Sequence, residues 1–162
     1  MDFEEFSRAH SRGLVRFAAA LTGDTELAQD LVQDALVRAY LRWSRVSQLD
    51  KPDLYLRKMV TNGYLSWRRR WYQRSVQTVP QLPSRTVADH AGRVDDTAEV
   101  SALLATLTRR QQVAIVLRFF EDRTDDEIAD VLGCAAVTVR THISRALAAL
   151  RAVVRTEPLE TR

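Results

Sequence analysis

Apolar side chains recur every three or four residues along most of this 162-residue chain. That period is typical of α-helices, and no segment shows the period-two alternation of a half-buried β-strand. Only five glycines and four prolines interrupt the pattern, which also favours helices. The sequence therefore predicts an all-α fold.

Local signals mark the ends of three helices in the first half of the chain. Gly23 is suited to the left-handed conformation of a helix C-cap, Asp24 can cap the helix that follows, and Pro52 fits a first helical turn. The predicted helices span about 3–21, 24–43 and 52–74. For the second helix we expect a buried stripe formed by Leu27, Leu31, Ala35, Leu36, Ala39, Tyr40 and Trp43.

A change of composition then separates two helical modules. Residues 76–97 contain Pro80, Pro83, scattered Ser and Thr, and few large apolar side chains, which predicts a flexible linker. The predicted organisation is two small helical domains at 1–75 and 98–155, with a tail at 156–162. In the second domain, Val100, Leu103, Leu104 and Leu107 form one apolar stripe, and a capping box at Thr108 predicts the next helix start.

Residues 124–151, TDDEIADVLGCAAVTVRTHISRALAALR, have the pattern of a helix-turn-helix. A capping box at Thr124 opens the first helix, and Gly133 permits the sharp turn before a second helix that begins at Ala136. The expected small core comprises Ile128, Ala129, Leu132, Val137, Val139, Ile143 and Leu147.

The second helix of this pair carries the charge expected of a helix that binds in a DNA groove. Four arginines and no acidic residue lie from Ala135 to Arg155. Side chains near the start of such a helix meet base edges, and Arg can bond two acceptors of guanine. The alternative is an ordinary helical hairpin with a solvated basic face; we favour DNA binding because spacing, turn and charge agree. The outward-facing candidates are Thr138, Arg140, Thr141, His142, Ser144 and Arg145.

The helix after Pro52 combines positive charge with aromatic side chains. Residues 57–74 contain six cations, Arg57, Lys58, Arg68, Arg69, Arg70 and Arg74, and no acid. Interleaved with them are Tyr64, Trp67, Trp71 and Tyr72. Basic side chains follow phosphates and aromatic faces stack on unpaired bases, so the pattern fits single-stranded nucleic acid. The alternative is that the aromatics are core residues with arginine stems around them, and we expect one of Trp67 and Trp71 to be largely structural.

No residue cluster indicates an active site or a cofactor. The histidines His10, His90 and His142 lack metal-ligand spacing, and Cys134 is the single cysteine. There is no glycine-rich phosphate loop. The N-terminus lacks the pattern of a signal peptide, and no apolar run reaches transmembrane length. We therefore expect a cytoplasmic protein without cofactor, metal or membrane insertion that is not an enzyme.

Three stretches together resemble an extracytoplasmic-function sigma factor of the sigma-70 family, of the SigE-like actinobacterial type. They are AQDLVQDALVRAYLRW, the Trp- and Arg-rich third helix, and LRFFEDRTDDEIADVLGCAAVTVRTHISRALAALR. The resemblance covers nearly the whole chain and is weakest in the linker. It implies that 1–75 is sigma region 2, that 98–155 is sigma region 4, and that the protein directs core RNA polymerase to promoters.

The resemblance also assigns roles to residues. The polar face of the second helix, which is otherwise typical of solvated surface, would bind the clamp helices of the polymerase β′ subunit through Asp30, Gln33, Asp34 and Arg38. Region 4 would lie at the β flap. Melting and capture of −10 DNA would fall to Ser47, Gln48, Lys51, Lys58, Asn62, Trp67, Arg68, Arg69, Arg70 and Trp71. The six outward-facing residues of the last helix would bind the −35 element, and an anti-sigma factor is a further partner that the resemblance allows.

Two positions near the start of the recognition helix depart from the family pattern. Ala135 stands where Ser or Thr usually caps the DNA-recognition helix, and His142 stands where a cation is common. Both predict an unusual −35 preference and modest affinity that depends on polymerase. The alternative function is a stand-alone helix-turn-helix regulator that binds duplex DNA without polymerase. A recombinase-like enzyme fits the sequence less well, because no nucleophile constellation is present. A protein-binding scaffold also fits less well, because it would leave the absence of acidic residues from both basic helices unexplained.

Overall fold

The computed structural model describes residues 1–75 and 94–156. Within these ranges the secondary structure is helical and contains no strand. The chain divides into two units, Met1–Ala88 and Asp89–Arg162. The prediction of an all-α protein with two helical domains is confirmed. Most of the predicted linker lies outside the described residues, but its last part is helical because α5 begins at Val94 rather than near residue 98.

In its described part, residues 1–75, the first unit contains four helices, α1 (Phe3–Thr22), α2 (Thr25–Leu41), α3 (Trp43–Val46) and α4 (Pro52–Ser75). The side chain of Asp2 caps α1 within a capping box, and Asp24 accepts hydrogen bonds from two backbone N–H groups at the start of α2. Gly23 has φ 67° between them, so α1 ends by the left-handed cap that the sequence predicts. Helix α3 lies in the segment that the sequence treats as the end of α2 and a loop, and its Val46 is buried.

The buried face of α2 differs from the predicted stripe. Ala28, Val32, Ala35 and Ala39 are buried, whereas Tyr40 is 62% exposed. The other predicted members, Leu27, Leu31, Leu36 and Trp43, are only partly buried. Because the true stripe consists mostly of alanines, α2 can lie close against α1 and α4, with which it makes its main contacts. Ala35 and Ala39 of the predicted stripe are confirmed, whereas the weight given to large apolar residues shifted the rest of the stripe away from Ala28 and Val32.

The second unit contains α5 (Val94–Ala105), α6 (Arg109–Ile115), α7 (Asp125–Leu132) and α8 (Ala136–Thr156). A π-helical turn, Val116–Phe120, continues α6. Both predicted capping boxes form: the hydroxyls of Thr108 and Thr124 accept from backbone N–H groups three residues later, and α6 and α7 start there.

The core of the helix-turn-helix agrees with the sequence except at one position. Ile128, Leu132, Val139 and Ile143 are buried, and Ala129 and Leu147 are partly buried. Val137 is 60% exposed, which contradicts the prediction, and Val131 and Ala146 are buried instead. Likewise Leu104 and Leu107 are buried near the end of α5, while Val100 is exposed. No described helix is long and apolar enough to cross a membrane.

Candidate nucleic-acid interface

The turn of the helix-turn-helix depends on Gly133. It has φ 67° and ψ 38°, a conformation that costs an L-residue about 1–2 kcal/mol, and its backbone N–H bonds to the carbonyl of Ala129. Helix α8 then begins at Ala136. The carbonyl of Ala135 accepts from the N–H groups of Thr138 and Val139 at 3.0 and 3.1 Å, which places Ala135 at the N-cap. The methyl group of Ala135 cannot accept a hydrogen bond. The structure therefore agrees with the prediction that α8 starts without a side-chain cap.

The six candidates on α8 lie in its first three turns and are accessible. Arg140, Thr141, Ser144 and Arg145 are exposed, and Thr138 and His142 are partly exposed. The Thr141 hydroxyl donates to the carbonyl of Val137 at 3.1 Å. It therefore retains only its acceptor capacity for DNA while that bond is kept.

His142 lies between two arginines. Its pKa is lowered from 6.5, first by partial burial and then by the positive charges of Arg110 and Arg145. Arg110 comes from α6 and is held by a bond from its Nη1 to the carbonyl of Leu132, at 3.2 Å. The neutral imidazole is therefore the favoured form at neutral pH, and it can both donate and accept a hydrogen bond.

An ion-pair cluster connects the recognition helix to the rest of the second unit. The carboxylate of Asp125, in the first turn of α7, contacts Arg140 of α8, with 3.4 Å between Arg140 Nη1 and Asp125 Oδ2. The other carboxylate oxygen contacts Arg118 Nη2. Asp125 and Arg118 were not among the predicted site residues, because a contact between residues 15 positions apart leaves no local signal in the sequence.

On α4, three of the polar candidates form a line that lies apart from the two tryptophans. Lys58, Asn62 and Arg69 follow one another at helical spacing on the face opposite the core. Trp67 and Trp71 instead continue the spacing of the buried Val60 and Tyr64. Both tryptophans are partly exposed. The expectation that only one of them is largely structural is therefore not met. Arg70 follows Trp67 by three residues and Arg68 precedes Trp71 by three, so cations also border the tryptophans.

Two members of the basic and aromatic pattern are core residues. Tyr64 is 3% exposed. The Arg57 side chain is 8% exposed, its Nη1 lies 3.5 Å from the Asp53 carboxylate, and its guanidinium lies 6.0 Å from the centre of the Phe17 ring. For Tyr64 and Arg57, the alternative that they belong to the core is therefore confirmed. The side chain of Tyr72 lies outside the described residues.

The remaining −10 candidates are accessible. Gln48 and Lys51, in the connection before α4, are exposed, and Ser47 is partly exposed. Asn62, Arg69 and Arg70 are exposed, and Lys58 and Arg68 are partly exposed. Their positions fit contact with a nucleic acid.

The polar face of α2 is fully on the surface. Asp30, Gln33, Asp34 and Arg38 are all exposed, and Arg38 Nε lies 3.1 Å from Asp34 Oδ2. Val37 and Leu41 follow Asp30 and Asp34 at helical spacing and are 53% and 75% exposed. Sequence analysis missed these two. The sequence does contain a signal for both residues. Each is apolar on an otherwise polar face and lies seven residues after Asp30 or Asp34.

Among residues 1–75 and 94–156, no group of His, Cys, Asp or Glu side chains has the arrangement of a metal site. The surfaces described above carry acidic and exposed aliphatic groups on α2, cations and an amide on one face of α4, and arginines and hydroxyls on α8, which is chemistry suited to macromolecular contact.

Comparison with known proteins agrees with this organisation. The model of sigma-70 region 2 matches residues 6–74, and the model of sigma-70 region 4 matches residues 97–150. The RNA polymerase sigma-E factor of Streptomyces avermitilis is 37% identical over 164 aligned residues, covering 100% of this chain and 90% of that protein. The sigma-E factor of Streptomyces coelicolor is 35% identical, covering 100% and 91%.

A solved structure gives the same family. The sigma factor RpoE of Bartonella quintana, in complex with the anti-sigma factor NepR, is 26% identical with a TM-score of 0.78, covering 96% of this chain and 98% of that one. CnrH in complex with the cytosolic domain of CnrY is 25% identical with a TM-score of 0.65. The chain therefore belongs to the sigma-70 family of RNA polymerase sigma factors, in its extracytoplasmic-function group.

Proposed function

We propose that this chain binds core RNA polymerase and directs promoter-specific transcription initiation. The observation that carries the proposal is the match of both sigma regions, each in its own helical unit with its own nucleic-acid chemistry. One unit presents a helix-turn-helix suited to duplex DNA. The other presents the long basic helix α4, suited to strand-separated DNA.

The proposed residue roles are those that the family resemblance implies, and the exposure of the candidates supports them. Asp30, Gln33, Asp34 and Arg38 would bind the clamp helices of the β′ subunit, with Val37 and Leu41 supplying apolar contact area beside them. An interface that joins apolar contacts to a charged rim is the usual composition of a specific protein–protein contact. Region 4 would lie at the β flap.

The two DNA elements would be recognised separately. On α8, Thr138, Arg140, Thr141, His142, Ser144 and Arg145 would contact the −35 duplex. On and before α4, Ser47, Gln48, Lys51, Lys58, Asn62, Trp67, Arg68, Arg69, Arg70 and Trp71 would act on the −10 element. Extracting a base from its stack costs a few kcal/mol, and polymerase shares that cost in a holoenzyme. The protein would thus act without chemistry of its own, in the cytoplasm where polymerase works.

An anti-sigma factor is a further proposed partner. The similar Bartonella quintana sigma factor is bound to such a protein. A protein of this kind would act here by covering the polymerase-binding or DNA-binding surfaces.

The test is transcription in vitro with purified core polymerase, followed by mapping of start sites. Asp30→Arg is expected to abolish co-migration with core polymerase, because it reverses a charge on the exposed polar face of α2. Glu4→Arg makes the same charge change on an exposed position of α1 and is expected to leave binding intact. Start sites that appear with the wild type and vanish with Asp30→Arg support the proposal. Tight duplex binding by the free protein without any polymerase-dependent start would instead establish the stand-alone regulator.

A further inference from the structure

Three charged side chains from three elements meet beside the start of the recognition helix. Arg118 comes from the π-helical turn after α6, Asp125 from the first turn of α7, and Arg140 from α8. The Asp125 side chain is 26% exposed and the Arg140 side chain 60% exposed. The carboxylate is thus partly shielded from water, while the guanidinium that it holds extends outward.

The contact occupies only part of the Arg140 guanidinium. Its Nη1 is the nitrogen that faces Asp125 Oδ2, at 3.4 Å. A guanidinium has five N–H donors in a planar fork, so an edge remains for two acceptors at once. Guanine offers two such acceptors, O6 and N7, in the major groove. Asp125 can therefore fix the orientation of Arg140 without using the donors that a base would need.

A carboxylate near DNA is unfavourable unless its charge is balanced. Arg118 contacts the same carboxylate, so the cluster of three keeps one net positive charge. The positive end of α7 also favours an acidic residue in its first turn. These two effects offset the repulsion that Asp125 would exert on phosphates, and they allow an acidic residue to remain next to a DNA-binding side chain.

We propose that Asp125 is a positioning residue that holds the Arg140 side chain for contact with one base pair of the −35 element. The inference rests on the proposed function of α8 in −35 binding. Fixing a long side chain before binding avoids an ordering cost of about 0.5–1.5 kcal/mol, which corresponds to roughly two- to twelvefold in affinity. Only the base that accepts from Arg140 in its held orientation benefits, so the gain is one of discrimination between bases.

The experiment uses holoenzyme, assembled from core polymerase and the full chain, and a promoter library randomised across the −35 element. Arg140→Ala identifies the base position that Arg140 contacts, as the one position where the preference disappears. Asp125→Asn keeps the size of the side chain but removes its charge, and is expected to weaken the preference at that same position roughly two- to twelvefold. Asp126→Asn is the matched control, because it removes the same charge from the exposed neighbouring residue; its base preferences should equal those of the wild type.

A background variant separates positioning from stability. Arg140→Lys keeps the charge but has a single nitrogen, which cannot hold the carboxylate and two base acceptors together. In that background Asp125→Asn is expected to change the base preference no further, whereas any loss of stability would persist in thermal melts of both backgrounds. Preferences unchanged by Asp125→Asn, or altered equally at all positions, would overturn the inference. A wild-type holoenzyme that selects no −35 sequence would instead contradict the proposed function itself.

Discussion

Arg57 is predicted to stabilise the first unit rather than to bind DNA, although it belongs to the acid-free basic stretch of α4. Its side chain is 8% exposed and pairs with Asp53, which is 25% exposed, while its guanidinium lies near the Phe17 ring. Lys58, the next residue, points to a different side of α4 and is partly exposed. Arg57→Ala and Lys58→Ala therefore form a matched pair, because each removes one cation and the two positions are adjacent.

The expected loss for Arg57→Ala can be worked from these contacts. Removing one partner of a fully buried ion pair costs about 3–5 kcal/mol. The Asp53 side chain is 25% exposed and lies in the first turn of α4. Water and the positive end of the helix therefore stabilise its carboxylate when Arg57 is removed, which lowers the cost. We expect a net loss of about 2–3 kcal/mol in the free energy of unfolding. For a unit of this size that lowers the melting temperature by roughly 10–20 °C, whereas Lys58→Ala should change stability by about 0.5 kcal/mol or less.

Tryptophan fluorescence measures this unit selectively in the full chain, because Trp43, Trp67 and Trp71 are the three tryptophans and all precede residue 75. DNA binding is measured separately, below the melting temperature of both variants, as the salt dependence of holoenzyme binding to a forked −10 fragment. Losing one phosphate contact lowers the salt slope by about 1. Lys58→Ala should show that change and Arg57→Ala should not. Equal stability of Arg57→Ala and the wild type, or a salt slope that falls as much as for Lys58→Ala, would refute the reasoning.

Two further predictions concern the recognition helix. Ala135→Ser supplies the missing N-cap of α8 and is expected to stabilise the second unit by about 1 kcal/mol in urea denaturation followed by circular dichroism; Ala136→Ser, one residue inside the helix, should give no gain. The pKa of His142 is lowered from 6.5 in the folded chain, so below that pH the unfolded chain binds more protons and stability falls as the pH drops through this range. His142→Gln is expected to remove that part of the pH dependence in melts between about pH 7 and about pH 5, and an unchanged slope would show that another group titrates.

Features of the fold that depend on one residue and its near neighbours could be predicted from the sequence. Gly23 and Gly133 both adopt φ 67°, and the capping boxes at Thr108 and Thr124 form where their spacing places them. Each needs only a few consecutive residues to satisfy backbone groups that a helix end leaves without partners. The existence and type of most helices follow from such signals.

Features that depend on how helices cross could not be predicted in this way. The buried face of α2 follows from close approach between helices, which favours Ala28, Ala35 and Ala39 over larger neighbours. Val137 is exposed and Ala146 buried for the same kind of reason, since the angle between α7 and α8 decides which side of α8 is covered. The Asp125 contact with Arg140 also depends on that crossing. The roles of the candidate site residues stay predictions.

The arrangement of the candidates on α4 has a consequence for how −10 DNA would be held. Lys58, Asn62 and Arg69 form one line along the helix, and Trp67 and Trp71 form another that extends the buried stripe of Val60 and Tyr64. A single strand that follows the first line would meet cations and an amide but neither indole ring. Arg70 and Arg68 border the tryptophans, because they lie three residues after Trp67 and three residues before Trp71. A strand that follows the tryptophans would therefore meet cations as well as indole rings, so that surface would combine phosphate contact with base stacking. The line of Lys58, Asn62 and Arg69 would contact the backbone without stacking.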